Sequence, residues 1–530
     1  MSTTSRFAIS LAALLVATSA ASAQNRCRAG LRVLSDPAAR TQLAAINAPV
    51  AGSADVMGSG TVCTDSAARR QYLGMSVGQP QGTLRLQYNG GVPDVRDNGG
   101  AWTGVGLNAF ARLGVGVDRG WLHAVLAPEA WVAQNQLFAF NPDTEAGHSG
   151  FGSHWYGAPY SIDLPSRWGA RTSGNVSLGQ SALWAGLGVA DIGVSTASVS
   201  WGPGVRTHLL LGPDAPGIPR AFISTNHPVA TPIGSWSGSA FVGTLTESPF
   251  FDNNSSNDLR TLTAWNLAWS ASAASPTVIG IEHLGMRTGS PLGTSSQKLT
   301  GPTDQLNGVY GRVNDATDGV RAYFEIARED ALPSLRQFLE IPYQGLVYLV
   351  GAQKAVRRQG GTLLITGEIS NLERPIDIRG QRSQDLYTSN DIPQGWTQRG
   401  QLLGSGPGPG GQSQWVSFDW ITPARTVGLF VERVRWNEDA FARQYIPYLF
   451  REDVTLRGGI RGETMWHDRS VHVELSGGRR LNYLFQNGTG IPGINTTDVL
   501  VSELKLSITP FASRARSSDQ AGSAGAYSRR

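Results

Sequence analysis

From about Gly82 onward, apolar and polar residues alternate along the chain with a period of two. The segment 361–370 is a clear case, because Leu363, Ile365 and Ile369 fall on one face, opposite Thr366 and Glu368. The segments 319–329, 470–476 and 503–509 alternate in the same way. Strict alternation is typical of a strand with one buried face. The pattern therefore predicts an all-β domain over residues 79–511.

A soluble sandwich and a membrane barrel would both give this alternation, with the faces swapped. Length favours one closed sheet, since about 24 residues per strand and connection gives roughly 18 strands. No segment is a convincing interdomain linker, and Gly404–Gly411 is better explained as a long external loop. Aromatic residues also cluster near predicted strand ends, as interfacial girdles require: Trp265 and Trp269, Trp415 and Trp420, Tyr445 and Tyr448, and Tyr483 and Phe485.

We therefore expect a large antiparallel transmembrane β-barrel of roughly 18 strands. In such a barrel the apolar face of each strand meets lipid and the polar face lines the lumen. The residues expected to face lipid are Ile365, Val473, Leu504 and Leu506, and those expected to face the lumen are Glu368, Glu474, Glu503 and Lys505.

The first 23 residues have the three-part layout of a secretory signal peptide. Arg6 is followed by an apolar run from Phe7 to Ala17, and Ala21-Ser22-Ala23 forms a small-x-small cleavage site. The apolar run is too short to span a bilayer. Export and a mature chain beginning near Gln24 are expected, and the predicted barrel then places the protein in a bacterial outer membrane.

Residues 24–78 differ from the rest of the chain and predict a small helical element ahead of the barrel. Asp36-Pro37 provides an N-cap followed by proline at the first helical position, and 38–46 can continue as a helix. Cys27 and Cys63 are the two cysteines of the chain, and both fall here. An oxidising compartment would let them pair, although two unpaired buried thiols are the alternative. No histidine lies near them, so a metal site is not expected.

Composition agrees with a membrane barrel. Charged residues make up 16% of the chain, against about 25% in soluble proteins, and no later segment has 18 consecutive apolar residues. The net charge is +4, and nearly all the positive charge is arginine, which grips carboxylates and phosphates through two parallel hydrogen bonds. Residues 512–530 are mainly Ser, Arg, Ala and Gly and predict a disordered tail.

No motif indicates catalysis, a cofactor or nucleic-acid binding. The chain lacks H-E-x-x-H. His467-Asp468 is explained by a turn, and the acidic run Asp252–Asp258 by a solvated loop, since its spacing matches no calcium loop. We therefore expect a protein that is not an enzyme and that needs no metal or cofactor.

The stretch 199–220, VSWGPGVRTHLLLGPDAPGIPR, is distinctive. A Trp-Gly-Pro-Gly turn at 201–204 leads to an apolar segment, interpreted as a strand, and then to a turn rich in Pro and Gly that ends at Arg220. Here the sequence resembles the Wzi capsule-assembly family of outer-membrane proteins. The order of signal peptide, short helical segment and long barrel is also similar, whereas the cysteine pair and the C-terminal tail depart from that family.

The resemblance implies a lectin-like barrel that attaches or organises capsular or exopolysaccharide at the cell surface. Outer-membrane lipids, and the machinery that exports the polysaccharide, are the other expected partners. The alternative is a passive porin for sugars or other small solutes, which would need an open lumen. Candidate ligand-binding residues are the motif residues Trp201, Gly202, Pro203, Gly204 and Arg220, together with Arg328, Glu329, Arg433, Arg435, Asn437 and Glu438. Each has a purely structural alternative, a shaped turn or an ion pair within the barrel wall.

The N-terminal expectations are tested by the mass of the purified mature protein. We expect a chain beginning near Gln24 and lighter than its reduced form by the two hydrogens lost in a Cys27–Cys63 disulfide. A chain that retains Met1, or one whose mass does not change on reduction, contradicts these expectations.

Overall fold

In the computed structural model, residues 81–509 and several short N-terminal stretches are described. The gaps in the main range are 97, 158–160, 273–274, 290–302, 330–334, 341–342, 344, 375–384, 405, 445–450, 468 and 486–497, and the short stretches are 33–34, 42, 46, 61–62, 70–72 and 75–77. The signal peptide, Cys27, Cys63, Tyr445, Tyr448 and the tail 512–530 lie outside these residues. Nothing in the described residues is a helix long and apolar enough to cross a bilayer.

Eighteen antiparallel strands form a closed barrel, as the length of the alternating region predicts. In chain order they are β1 (Gln81–Gly90), β2 (Gly106–Arg119), β3 (Leu122–Leu126 and Glu129–Ala133), β4 (Ser173–Ser177 and Ala182–Leu187), β5 (Ala190–Ser195), β6 (Arg220–Thr225 and Val229–Thr231), β7 (Gly234–Thr246), β8 (Leu259–Ser270), β9 (Thr277–Thr288), β10 (Thr303–Asp315), β11 (Val320–Glu329), β12 (Leu346–Arg358), β13 (Gly361–Asn371), β14 (Gln412–Ile421), β15 (Arg425–Trp436), β16 (Asp453–Trp466), β17 (Arg469–Leu481) and β18 (Val499–Thr509).

The barrel closes where β18 pairs with β1, with Leu506 opposite Leu86 and Leu504 opposite Tyr88. Closure matters because a lipid-exposed sheet edge would leave backbone groups without hydrogen-bond partners. Two short helices follow strands at one end of the barrel, α1 (Leu335–Glu340) after β11 and α2 (Glu438–Gln444) after β15.

The connections differ sharply between the two ends of the barrel. At one end, called the turn end, neighbouring strands are joined by short links such as 120–121, 188–189 and 359–360. At the other, called the loop end, the links are long, and 134–172 and 372–411 are the longest. Outer-membrane barrels have short periplasmic turns and longer extracellular loops. The loop end therefore corresponds to the cell exterior.

The predicted faces of the strands are confirmed. Val473 and Leu504 are 42% and 44% exposed on the outer surface, whereas Glu368 and Glu503 are 3% and 5% exposed in the lumen. Ile365 and Leu506 also occupy outward positions, and Glu474 and Lys505 are paired across β17 and β18 on the inner face.

Three of the aromatic residues predicted for interfacial girdles, Trp415, Tyr483 and Phe485, lie elsewhere. Trp415 is buried in the lumen beneath the guanidinium of Arg461, while Trp420, of opposite parity on the same strand, faces outward. Tyr483 and Phe485 are buried at the loop end. Strand parity, which separates Trp415 from Trp420, was the stronger predictor of their environment.

The lumen contains a segment of the chain itself. Residues 196–219, called the plug, leave the wall after β5 and return at β6. Leu209, Leu210 and Leu211 at the plug centre are at most 1% exposed and pack with Leu262, Leu284, Leu306 and Leu349 of the wall. The principal hydrophobic core of the described residues therefore lies inside the barrel.

The interpretation of this leucine segment as a strand is wrong. Residues 207–212 have irregular backbone within the lumen. Their hydrogen bonds go to a wall carboxylate, through Leu209 N–H and Glu325, and to a loop, through Gly212 N–H and the Leu403 carbonyl. Apolar composition alone did not distinguish a buried irregular segment from a strand.

The described part of the N-terminal region touches the turn end of the barrel. Gln42 and Ile46, from the predicted helix 38–46, are both helical. Gln353 in the lumen donates a hydrogen bond to the Gln42 side-chain carbonyl at 2.8 Å, and Ile46 packs against Ala355, Leu364 and Ile421. The other described residues of this region form short strands, Val33–Leu34, Thr61–Val62, Arg70–Tyr72 and Met75–Val77. A helical element over 24–78 as a whole is therefore not confirmed and remains a prediction.

The assignment of faces is tested on two adjacent residues of β18. Leu506→Arg places a charge against lipid, at a cost of about 2–4 kcal/mol near the bilayer midplane, whereas Ser507→Arg places it in the polar lumen. We expect Leu506→Arg to lower the folded fraction on gels that distinguish the folded barrel by its heat-modifiable mobility. Equal folded fractions for the two variants would contradict the assignment.

Candidate functional site

The plug is held to the wall by the backbone that directly follows its Trp-Gly-Pro-Gly turn. The Glu368 carboxylate, on β13, accepts hydrogen bonds from the backbone N–H groups of Val205 at 2.8 Å, Arg206 at 3.1 Å and Thr207 at 2.7 Å. The Tyr323 hydroxyl donates a further bond to it at 2.8 Å. A carboxylate can accept this many donors because its two oxygens offer about four lone-pair sites.

The glycines of the turn permit this close approach. Gly202 has φ of +79°, and a Cβ at this position would lie 2.3 Å from a Glu325 carboxylate oxygen. A Cβ on Gly204 would lie 1.8 Å from the Thr207 carbonyl oxygen. The Pro203 carbonyl accepts a hydrogen bond from Arg321 of the wall at 2.9 Å. The turn thus has a structural explanation, and direct ligand contact by residues 202–204 remains a prediction.

Trp201 and Arg220, at the two ends of the motif, meet in an inner cavity between the plug and strands β3–β7. Trp201 is 1% exposed, and its ring centroid lies 5.7 Å from that of Phe241. The Arg220 guanidinium lies over the same phenyl ring at 5.4 Å and donates to the Ile218 carbonyl. The folded chain therefore brings these two predicted residues together, away from the loop-end opening.

A larger opening, called the external cavity, lies above the plug at the loop end. It holds about 1150 Å³ of space, including open water at its mouth. The loops 91–105, 134–172, 372–411, 437–452 and 482–498 contribute its walls, and Asp214 of the plug contributes to its floor. Its side chains are unusually aromatic: Trp102, Phe138, Phe140, Trp155, Tyr156, Trp436 and Tyr483.

Loop-to-loop contacts fix these rings. The Tyr156 hydroxyl lies within hydrogen-bond distance of two acceptors, the Pro409 carbonyl at 2.9 Å and the Asn437 side-chain carbonyl at 3.0 Å, and shares its one hydrogen between them. The Tyr483 hydroxyl donates to the Ala139 carbonyl at 2.6 Å. The loop 404–411, predicted to be external, does connect strands at the loop end, but it is folded inward and lines the cavity with Pro407 and Pro409.

The arginines around the external cavity are paired with carboxylates. Arg96 donates to Asp94 at 2.9 Å and to Glu432 at 3.1 Å, and Glu432 also accepts from Arg206 and Arg457. Arg480 makes two hydrogen bonds to Asp453, at 2.7 and 2.9 Å. Burial opposes ionisation of Asp94, but Arg96 and Arg457 outweigh it and hold the pKa of that carboxyl well below its usual range. These guanidinium groups therefore stabilise the wall.

Asp214 on the cavity floor has a different environment. Burial raises the pKa of its carboxyl to about 7, although Arg96 and Arg206 oppose the shift. The Gly406 N–H points to this carboxyl at 3.4 Å. Near neutral pH Asp214 can therefore either donate or accept a hydrogen bond, which suits recognition of a hydroxyl group.

The remaining predicted residues are divided among three places. Asn437 lines the external cavity with φ of +50°, and Glu438 begins α2 beside it, with its N–H bonded to the Gly410 carbonyl. Arg435 at the same rim pairs with Glu373, Glu438 and Glu452. Glu329 is buried and accepts from the Trp396 indole at 3.1 Å. Arg328 and Arg433 occupy outward positions on β11 and β15, outside the lumen.

The cavity aromatics were not among the residues predicted from the sequence. Except for Trp436, at the end of β15, they come from three loops, where no strand periodicity marks which side chains converge. The signal that the sequence offered was local, as in the adjacent Trp155 and Tyr156, or Phe138 and Phe140 spaced by one residue. Their convergence depends on barrel closure.

Comparison with known proteins identifies the architecture. A solved structure that matches is Wzi of Escherichia coli, described as an outer-membrane protein involved in group 1 capsule assembly and a carbohydrate-binding β-barrel. The match has a TM-score of 0.55 at 13% sequence identity and covers 82% of this chain and 85% of that one. The chain has a Wzi-like outer-membrane barrel fold.

Two further structures also match, with lower scores. OccK2 of Pseudomonas aeruginosa covers 82% of this chain and 98% of its own at 10% identity and a TM-score of 0.40. A BenF-like porin of Pseudomonas fluorescens covers 81% and 98% at 10% identity and a TM-score of 0.40. No protein-family profile and no curated relative matches the chain.

Because Glu368 anchors the plug of this Wzi-like barrel, we expect that removing its carboxylate lets ions pass through the lumen. Glu368→Ala leaves three buried plug N–H groups without their acceptor, at about 1–3 kcal/mol for each unsatisfied group. We expect single-channel conductance in planar bilayers to rise above the wild-type level.

The matched control is Glu474→Ala, which removes a lumen-facing carboxylate of β17 that lies opposite Lys505 of β18 and makes no hydrogen bond to the described residues of the plug. It should conduct like the wild-type protein. A Glu368→Ala barrel that stays as closed as wild type would show that the plug does not depend on this carboxylate.

Proposed function

We propose that this barrel binds capsular or exopolysaccharide in its external cavity and so holds the polymer at the cell surface. The observation that carries the proposal is the convergence of aromatic rings from three loops and strand β15 on an opening at the exterior end of a barrel whose lumen contains a packed plug. Sugar rings present apolar C–H faces that stack on aromatic side chains, while neighbouring polar groups take the hydroxyls.

The charges around the cavity favour stacking over ionic recognition. Arg96 and Arg480 line the cavity, but both are engaged by carboxylates of the protein. A uronic-acid ligand would have to compete with those carboxylates for the same guanidinium donors. Ring stacking and hydrogen bonds to Asn437 and Asp214 are therefore the proposed contacts.

Phe138 and Phe140 are the rings best placed for stacking. Both remain partly exposed at the cavity, whereas Trp102, Tyr156 and Tyr483 are 5% exposed or less. Their centroids are 6.2 Å apart. A repeating polymer could engage several such barrels at once, so that weak individual contacts combine through avidity.

A passive porin role is the alternative for a barrel of this size. The packed leucines of the plug and the hydrogen bonds from its backbone to Glu368 weigh against a wide solute path. We also propose that the protein contacts the machinery that exports the polysaccharide. We further propose that it reaches the outer membrane after cleavage of its signal peptide.

The proposal is tested by measuring cell-bound and released polysaccharide in a deletion strain. We expect the total polymer to be unchanged and the bound fraction to fall, because a binding protein changes where the polymer sits and not how much is made. Complementation with the double variant Phe138→Ala, Phe140→Ala should restore less of the bound fraction than wild type, since each lost ring removes about 1 kcal/mol, or roughly fivefold in affinity per contact.

The control for complementation is Trp121→Ala, which removes an exposed aromatic ring at the turn end. It should restore binding fully. If total polymer collapses in the deletion strain while the bound fraction is unchanged, attachment is wrong and a role in synthesis or export replaces it.

A further inference from the structure

The inner cavity, where the plug faces strands β3–β7, is a second space large enough for a ligand. It holds about 880 Å³, including open water, and pockets for small molecules typically hold about 300–1,000 Å³. No described residue lines both this cavity and the external cavity. The inner cavity extends towards the turn end, where Asp191 lies beside the link 188–189.

Arg220 lines the inner cavity without a carboxylate partner. Its Nη1 donates to the carbonyl oxygens of Ala197 and of Ile218, the latter at 3.2 Å. Its Nε and Nη2 make no hydrogen bond, and its guanidinium makes no ion pair, with the residues that the structure describes. Arg96 and Arg480 at the external cavity are, by contrast, engaged by carboxylates. A cation enclosed without a counter-charge favours an anion from solution.

Two neighbouring strands arrange the chemistry of the cavity wall in order. Arg220, Phe222 and Ser224 occupy successive inward positions of β6, about 7 Å apart. On β7, Phe241 is opposite Phe222, and Ser239 is opposite Ser224. A cation, two phenyl rings and two hydroxyl groups therefore follow one another from the plug towards the turn end.

The hydroxyl end of this row has hydrogen-bonding groups to offer. Neither Ser224 nor Ser239 makes a side-chain hydrogen bond within the described part of the chain. Asp191, opposite Ser224 on β5, adds an acceptor there and disfavours a second acid at that end. Between the two ends, Phe222 packs against Trp184 of β4. The cavity thus places an apolar surface between a cation and a group of polar side chains.

We propose that the inner cavity binds a sugar acid, with its carboxylate on Arg220 and its hydroxyls at Ser224 and Ser239. Nε and Nη2 form one edge of the planar guanidinium, which suits two parallel hydrogen bonds to a carboxylate. The aromatic rings between the two ends suit the apolar C–H face of a pyranose. The arginine distinguishes this ligand from a neutral sugar, and the hydroxyls distinguish it from an apolar acid.

The test is a titration of the detergent-solubilised full-length protein followed by saturation-transfer difference NMR. The probes are methyl β-D-glucuronide, methyl β-D-glucoside, which has a hydroxymethyl group in place of the carboxylate, and benzoate, which keeps a ring and the charge but has no hydroxyls. Wild type should bind the glucuronide about tenfold more tightly than either, because charge-assisted hydrogen bonds are roughly twice as strong as neutral ones. Equal affinity for the glucuronide and either other probe would overturn the proposal.

The variant Arg220→Gln should lower the affinity for the glucuronide to that for the glucoside and leave the glucoside unaffected. The matched control is Arg85→Gln on β1. Arg85 is also a lumen arginine that lies over a phenyl ring, that of Phe110 at 5.0 Å, and donates to a backbone carbonyl, that of Asn98. It does not line the inner cavity. Loss of the glucuronide preference in both variants would contradict the assignment to Arg220.

A second variant keeps the proposal testable if Arg220→Gln does not fold, which heat-modifiable mobility reports. Ser224→Ala, Ser239→Ala removes two hydroxyls and leaves the arginine in place. It should weaken both glycosides by about fivefold and leave benzoate unaffected. Unchanged affinity for the glycosides would count against the proposal.

This inference goes beyond polysaccharide attachment and does not rest on it, because it concerns a different cavity. The double variant Phe138→Ala, Phe140→Ala alters the external cavity and should keep the tenfold preference for the glucuronide. A preference lost in that variant would place the acid in the external cavity and overturn the proposal. Failure of polysaccharide retention in the deletion strain would leave the titration with the inner cavity unchanged, so the two proposals fail separately.

Discussion

A carboxylate enclosed in a barrel must find hydrogen-bond donors, and here the chain supplies them from its own backbone. Glu368 and Glu325 project from neighbouring parts of the lumen wall, and the plug presents N–H groups of residues 205–209 to them. A buried polar group without a hydrogen-bond partner destabilises the fold by more than one hydrogen bond, formed in exchange for bonds to water, stabilises it. The position of the plug, and through it the floor of the external cavity, follows from this requirement.

The same requirement extends to the loops above the plug. Gly212 N–H binds the Leu403 carbonyl, and the Tyr387 hydroxyl binds the Leu209 carbonyl at 2.7 Å. The loop 372–411 is therefore seated on the plug, and Pro407 and Pro409 reach the external cavity by this route. Glu432 of β15 has a corresponding role, because it accepts hydrogen bonds from arginines of a loop, of the plug and of β16, which are Arg96, Arg206 and Arg457.

The barrel was predictable because a period of two persists through each strand and fixes which residues share a face. Parity also separates Trp415, which shares its face with Ser417 and Asp419, from Trp420, which shares its face with Phe418. The same rule would have placed Arg328 and Glu329 on opposite sides of the wall. The candidate ligand residues were chosen by chemical type and by closeness to strand ends, without regard to this parity.

The plug and the external cavity were harder to predict for a physical reason. An apolar run such as 209–211 has the same composition whether it lies in a strand or fills a lumen. The cavity rings converge only after strands distant in sequence have paired. The helix and the disulfide expected in the N-terminal region remain predictions, because Cys27 and Cys63 lie outside the described residues.

The hydrogen bond between Val205 and Glu368 joins residues 163 positions apart, and that separation has a kinetic consequence. The entropy of closing so long a loop must be met before the contact contributes any free energy, and structures dominated by such contacts fold slowly. Strands β6–β13 lie between the two partners in the sequence. The plug therefore cannot dock on Glu368 until these strands have formed. An unfinished barrel is therefore hollow, and its apolar plug is an exposed surface that chaperones would have to shield until insertion is complete.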